Sequence, residues 1–200
     1  MRGDFMAFEP ENFEHILGTK GFSDTLLRNH FTLYQGYVTN LNELADALLA
    51  MHKEGRTGQE YAELKRRFGW EFNGMRMHEL YFGNMKKGGS RLNADSHLAR
   101  RIVESFGSLE HWESDFRAVG AMRGIGWVIL YYDAVAKRLF NVWINEHDVG
   151  HLAGATPVLV MDVFEHAFML DYGLKRADYI EAFFSAIDWG VVEKRFDAVK

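Results

Sequence analysis

The hydrophobic pattern of this chain changes its period at Gly83-Asn84-Met85-Lys86-Lys87-Gly88-Gly89-Ser90. That polar, glycine-rich stretch is the clearest boundary signal in the sequence. Before it, apolar residues recur at steps of three and four. After it come short apolar runs without a helical stripe. Such a switch implies an α+β layout. A helical N-terminal domain, a long helical hairpin, is expected over 1–88. A C-terminal domain is expected over 89–200, with a three-stranded antiparallel sheet flanked by helices. Two hundred residues suffice for one or two small domains with a real core.

Residues 1–22 read as irregular, with Pro10, Gly18 and Gly21 as breakers. Ser23 or Asp24 can cap a helix over about 24–53, whose stripe runs from Leu26 and Leu27 through His30, Tyr34, Tyr37 and Leu41 to Leu48. Thr57-Gly58-Gln59-Glu60 has the form of a capping box for a short charged helix over 58–68. A further helix is expected over 70–84. In the second half, helices are expected over 95–106 and 109–122, with Ser108 capping the latter. Trp127–Tyr132 and Arg138–Ile144, joined by the turn at 133–137, read as a hairpin. Pro157–Val163 reads as a third strand. Helices over 178–187 and 189–196 close the chain. Between the second and third strands lies a loop, 145–154, with two histidines, His147 and His151.

Cysteine is absent, so a metal must be held by His, Asp, Glu or water. Nine histidines and 14% aromatics make a dry, imidazole-rich site attainable. Asp162 ends the third strand, and His166 follows in the turn beyond with Glu165 at its side. This D-x-x-x-H pair is a weak signal alone. His30 lies on the apolar face of the first helix, where a lone histidine is usually structural. Gly74 lies one helical turn before His78. It leaves room over that ring for metal-bound solvent or a neighbouring side chain, or it admits a close helix crossing. Together these positions offer three imidazoles and one carboxylate, which with solvent as a fifth ligand suit a redox-active first-row metal. Zinc would accept the same ligands but offers no redox chemistry. Aromatic residues near the candidates, among them Tyr34, Tyr37, Trp127 and Phe164, would shield an ion. Net charge is −5 with both signs interspersed, which argues against a nucleic-acid partner. No apolar run approaches a membrane span and no leader is visible, so the expectation is a cytoplasmic protein with no membrane partner.

Several separated stretches carry a resemblance: His30 followed by Tyr37-Val38-Thr39-Asn40-Leu41-Asn42; His78-Glu79-Leu80-Tyr81-Phe82; Phe106-Gly107-Ser108-Leu109; Gly126-Trp127; and Asp162-Val163-Phe164-Glu165-His166-Ala167. In this order they resemble the iron/manganese superoxide dismutase family over nearly the whole chain. The resemblance implies a homodimer or homotetramer acting on superoxide. It implies one iron or manganese ion per subunit, held by His30, His78, Asp162 and His166. Glu165 would reach across the interface to His166 of the partner subunit. His147 stands where many relatives carry a glutamine that bonds the metal-bound solvent, with Tyr37 next in that path. Gly74 matches the subtype that leaves room for this donor. Arg176 matches a basic segment that would guide the anion.

Three departures accompany the match. The first ligand and the tyrosine are seven residues apart rather than eight. Counting forward from Ser23 selects His30, whereas counting back from Tyr37 selects Asn29. Asparagine is a poor transition-metal ligand, and loss of a π-bulge would reconcile the two counts. Met169 and Phe164 stand where relatives often carry a tyrosine and a tryptophan. Two alternatives fit the same residues: a different mononuclear non-haem metalloenzyme, or a family member that binds metal with lost or altered activity.

Overall fold

The computed structural model describes residues 7–200. Helix α1 spans Asp24–Lys53, and its N-cap Ser23 accepts a hydrogen bond from the Leu26 amide. Its buried stripe includes Leu26, Leu27, His30, Tyr34, Val38, Leu41, Leu44 and Leu48. Helix α2 is one element, Gln59–Gly83, where two were expected. A glycine inside a helix costs only about 1 kcal/mol, and two pairs spaced by four residues straddle Gly69. Arg67 Nε lies 2.8 Å from Glu71 Oε1, and the rings of Phe68 and Phe72 stack at 6.3 Å. The capping box does not form: the N-cap is Gly58, with no side-chain hydrogen bond. Helices α1 and α2 pack as the expected hairpin.

Helices α3 (His97–Phe106) and α4 (Leu109–Gly120) are capped by Ser96 and Ser108. Strands β1 (Gly126–Asp133), β2 (Arg138–Asn145) and β3 (Thr156–Asp162) form an antiparallel sheet in the order β2-β1-β3. The central strand β1 is buried along nearly its whole length. Its register sets Trp127 opposite both Ile144 and Asp162. Short helix α5 (Met169–Tyr172), then α6 (Arg176–Ala186) and α7 (Trp189–Asp197), complete the described order.

The stretch at 83–90 is tied to the junction of α6 and α7: Met85 bridges Ile187, and the Lys86 amide donates to the Ala186 carbonyl. A half-buried guanidinium adds to this joint. Arg195 donates from Nη1 to Asn84 Oδ1 and to the Val158 carbonyl, each at 2.8 Å. Burial pushes its pKa down to about 10. Asn84 in turn donates to the Val160 carbonyl at 2.6 Å. The C-terminal end of α2 and strand β3 are thereby fixed to each other, and each carries one candidate ligand.

Candidate metal centre

His30 projects from the second turn of α1, His78 from near the end of α2, and Asp162 from the end of β3. His166 comes from a 3-10 turn, Glu165–Ala167. One ligand atom from each lies within 4.8 Å of the others. Asp162 Oδ2 is the common point: His30 Nε2 lies 3.1 Å from it, His166 Nε2 3.2 Å and His78 Nε2 3.7 Å. His30, His78 and Asp162 are buried, and the His166 side chain is 25% exposed. Asn29 faces outward. Helix α1 runs through this region as regular α-helix, which turns His30 rather than Asn29 into the cluster.

His78 supplies the sharpest test of fit to a metal. Its Nδ1–H donates to the Gly74 carbonyl at 2.5 Å. That leaves Nε2 with a bare lone pair directed into the cluster. Among the described residues it is the buried side-chain nitrogen or oxygen atom without a hydrogen-bond partner. A buried acceptor costs free energy unless something takes its lone pair, and a cation does so. The charges agree. Burial lowers the His30 pKa against the pull of Asp162, and burial with neighbouring His30 lowers that of His78 well below the ordinary value. Burial opposes ionisation of Asp162, yet His166 and His30 prevail and hold its carboxyl far below the usual range. His166 moves upward: burial works against the charged ring, but Asp162 outweighs it. An anionic oxygen among imidazoles, two of them held neutral, is a donor set for a divalent or trivalent ion.

The surrounding shell holds these ligands in place. Tyr179 O–H donates to the Asp162 carbonyl at 2.5 Å, and the Phe164 amide donates to Asp162 Oδ1 at 2.8 Å. The room left by Gly74 is filled by the Tyr37 ring: a Cβ at position 74 would lie 2.4 Å from it. That ring stacks on His78 with centroids 5.3 Å apart. Tyr37 Oη is 2.7 Å from His147 Nε2. Trp127 Nε1–H donates to His147 Nδ1 at 3.1 Å. An indole N–H can only donate, so His147 Nδ1 carries no hydrogen. Burial pushes the His147 pKa down to about 4, so at neutral pH the single hydrogen sits on Nε2 and is donated to Tyr37 Oη. The Tyr37 hydroxyl proton then remains free for another acceptor. Burial raises the Tyr37 pKa to about 12, which keeps that proton in place.

The other expected residues lie farther out. Tyr34 turns its hydroxyl away from the ligands. It accepts from the Glu11 amide at 2.8 Å and donates to Glu79 Oε1 at 3.1 Å. Glu165 is exposed beside His166. Arg176 donates to the carbonyls of Met122 (2.6 Å) and Gly124 (2.8 Å), tying the start of α6 to the segment after α4. Sequence reasoning passed over Trp70, whose ring meets the His147 ring at 4.7 Å, and Tyr179. Trp70 is four residues before Gly74, one helical turn along the same face, a signal that was available. The Tyr179 contact depends on where α6 docks, which no local pattern encodes.

The fold and this cluster define a mononuclear metalloprotein whose ligands come from a helical hairpin and from one end of a small antiparallel sheet. Residues 94–195 match the family described as iron/manganese superoxide dismutases, C-terminal domain. A superoxide dismutase of Haloferax volcanii, named for manganese, is 34% identical over 97% of this chain and 92% of its own. One from Aquifex pyrophilus, named for iron, is 35% identical over 94% of this chain and 91% of its own. One from Cupriavidus metallidurans, also named for iron, is 37% identical over 89% of this chain and 90% of its own. The chain belongs to the iron/manganese superoxide dismutase family.

Proposed function

We propose that this protein is a superoxide dismutase using one iron or manganese ion held by His30, His78, Asp162 and His166. The observation that carries the reading is the convergence of four ligand atoms on one point, with the lone pair of His78 Nε2 left bare. When bound, such an ion would supply the one-electron redox chemistry by which two superoxides and two protons become oxygen and hydrogen peroxide. The protein's part is to hold the ligands, exclude water and hold protons in place. Tyr37, Trp127 and Phe164 wall the cluster with aromatic carbon, and Trp70 packs behind them on His147. His147 keeps its Nε2 hydrogen on Tyr37 Oη, and the Tyr37 hydroxyl proton is the one available to an incoming anion. Gly74 admits the Tyr37 ring.

Glu165 is proposed to receive His166 of the partner subunit, a contact that orients a ligand from outside the chain. What supports a second copy is the surface around this pair. Leu33, Met169 and Leu170 are 44%, 46% and 58% exposed, and they line a groove with Leu26, Asn29 and His166. A homodimer covering that groove, or a tetramer of such dimers, is the proposed assembly. Arg176 is retained as the proposed guide for the anion, the cytoplasm as the compartment, and 1–88 and 89–200 as the two domains. None of the described helices is long and apolar enough to cross a membrane.

The test is reconstitution with iron and with manganese separately, followed by a superoxide assay. At least one form should dismute superoxide, and His166→Ala should abolish the activity while leaving the fold recoverable. Metal bound at one equivalent without activity in either form would defeat the reading.

A further inference from the structure

The loop between β2 and β3 carries two histidines, and the proposed function uses only His147. We propose that His151 is a positioning residue for His147, completing a two-point clamp through which strand β1 fixes the hydrogen-bond donor beside the metal cluster. The inference rests on the proposed function for its catalytic consequence, but its geometry stands on its own.

His147 sits in a tight loop closed by reciprocal backbone hydrogen bonds between Asn145 and Val149, at 2.9 and 3.3 Å. Glu146 in this loop has φ +54°, a left-handed conformation uncommon for a residue with a side chain. Such a loop needs outside support to keep one shape. His147 is fully buried, so its backbone carbonyl requires a partner. That partner is His151, whose Nε2 lies 2.8 Å from the His147 oxygen. A carbonyl can only accept, so the His151 hydrogen is on Nε2. Nδ1 is then an acceptor, and Tyr131 O–H meets it at 2.6 Å. Asn73 Nδ2 also lies 3.3 Å from His151 Nε2. Two N–H groups cannot bond each other. With its amide turned over, Asn73 offers Oδ1 to the same hydrogen, an orientation set by the network rather than by the heavy atoms.

The two histidines are held in parallel ways. Trp127 and Tyr131 are four residues apart on β1 and therefore point to one face of the strand. Trp127 donates to Nδ1 of His147, and Tyr131 donates to Nδ1 of His151. Each contact leaves a hydrogen on Nε2. His147 spends its hydrogen on Tyr37, and His151 spends its hydrogen on the backbone of His147. One strand thus grips residue 147 twice, by its ring and by its carbonyl. Removal of His151 leaves a buried carbonyl unpaired and frees the loop to turn, which carries His147 Nε2 away from Tyr37.

The test uses the iron-loaded enzyme and three variants. His151→Leu keeps bulk and removes both hydrogen bonds. His151→Gln keeps a donor and an acceptor. Tyr131→Phe leaves His151 in place without its donor. The expected result for His151→Leu is about a tenfold loss of kcat with iron content and KM unchanged, in the range of lost contacts around a metal ligand set. Azide affinity, titrated through the visible spectrum of the ferric protein, should shift severalfold in the same variant. His151→Gln should recover most of both, and Tyr131→Phe should fall between. Wild-type kcat and azide affinity in His151→Leu would overturn the proposal, as would a His151→Gln protein as impaired as His151→Leu. So would losses that only track iron content. If His151→Leu does not fold, the pair His151→Gln and Tyr131→Phe decides: equal values in the two overturn it. A wild-type protein that binds iron but dismutes no superoxide would defeat the proposed function instead, while the azide titration would still report on His151.

Discussion

On the side of His78 the cluster is closed by its own chain, whereas on the side of His166 it lies open. His78 is covered by the stacked Tyr37 ring and by Trp127, with centroids 5.3 and 5.0 Å from its own. Hydrogen bonds run from there through His147 into strand β1. His166 stacks on Phe164 at 5.2 Å and also lines a groove of exposed leucine and methionine. The difference separates two ways of orienting a metal ligand. One flank is preorganised by intrachain packing and is complete in a monomer. The other gains its last contact, in the proposed assembly, from a second copy. Tuning of the site therefore belongs mainly to the closed flank, and dependence on concentration belongs to the open one.

Asp162→Ala gives the largest expected effect, because Oδ2 is where the two flanks meet. It should lower bound metal by at least ~100-fold in affinity, more than loss of an outer contact costs, and activity should vanish with it. Metal analysis after dialysis reads this directly. Retained metal would show that the flanks do not converge as described. Glu165→Ala comes next and addresses only the open flank. It should weaken metal retention by about 10-fold and shift the sedimentation profile toward monomer, with the monomeric fold intact. An unchanged profile would break the contrast between the flanks. Gly74→Ala addresses the closed flank. The added carbon meets the Tyr37 ring, and overpacking of this kind costs about 1–3 kcal/mol. A lower thermal midpoint with an unchanged oligomeric state is expected.

Acid stability is affected as well. The buried His147 ring titrates at about 4 when folded and near 6.5 when unfolded. Between those values the unfolded chain binds more protons, so stability falls as pH drops from 6.5 toward 4. The contribution is at most about 3 kcal/mol for a shift of this size. His147→Gln removes it, so the variant should lose less stability than the wild type between pH 7 and 5 in thermal melts.

Much of the scaffold was legible because its signals are local. Ser23 and the apolar stripe set the start and length of α1, and the β-branched and aromatic runs placed all three strands to within a residue or two. The division of α2 at Gly69 was wrong because two pairs within the helix, Arg67 with Glu71 and Phe68 with Phe72, span the joint and outweigh one unfavourable residue. The capping box failed because Thr57 lies one position too early, leaving Gly58 as N-cap. Within the site, residue types and spacing singled out His30, His78, Asp162 and His166, with His30 preferred to Asn29 on ligand chemistry; the outward face of Asn29 follows from the helical phase of α1. The direction of Tyr34 toward Glu79, and of Tyr37 into the space over His78, depends on how the two helices face each other. His151 was visible as a histidine but not as a partner of Tyr131, because strand and loop meet only after the sheet has formed.

The hairpin has one further consequence. His30 lies near the start of α1 and His78 near the end of α2, so both ligands occupy the same end of an antiparallel pair. About 20 residues of each helix, roughly 30 Å at 1.5 Å per residue, run on past them toward the tip at Lys53–Gln59. The contacts these arms make with the site come from Tyr37 on α1 and from Trp70 and Gly74 on α2, all near the ligand end. This overhang can be lengthened or trimmed without rewriting the chemistry, provided both arms change by the same whole number of turns. A version shortened by seven residues in each arm should still retain its ion, and one shortened in a single arm should not.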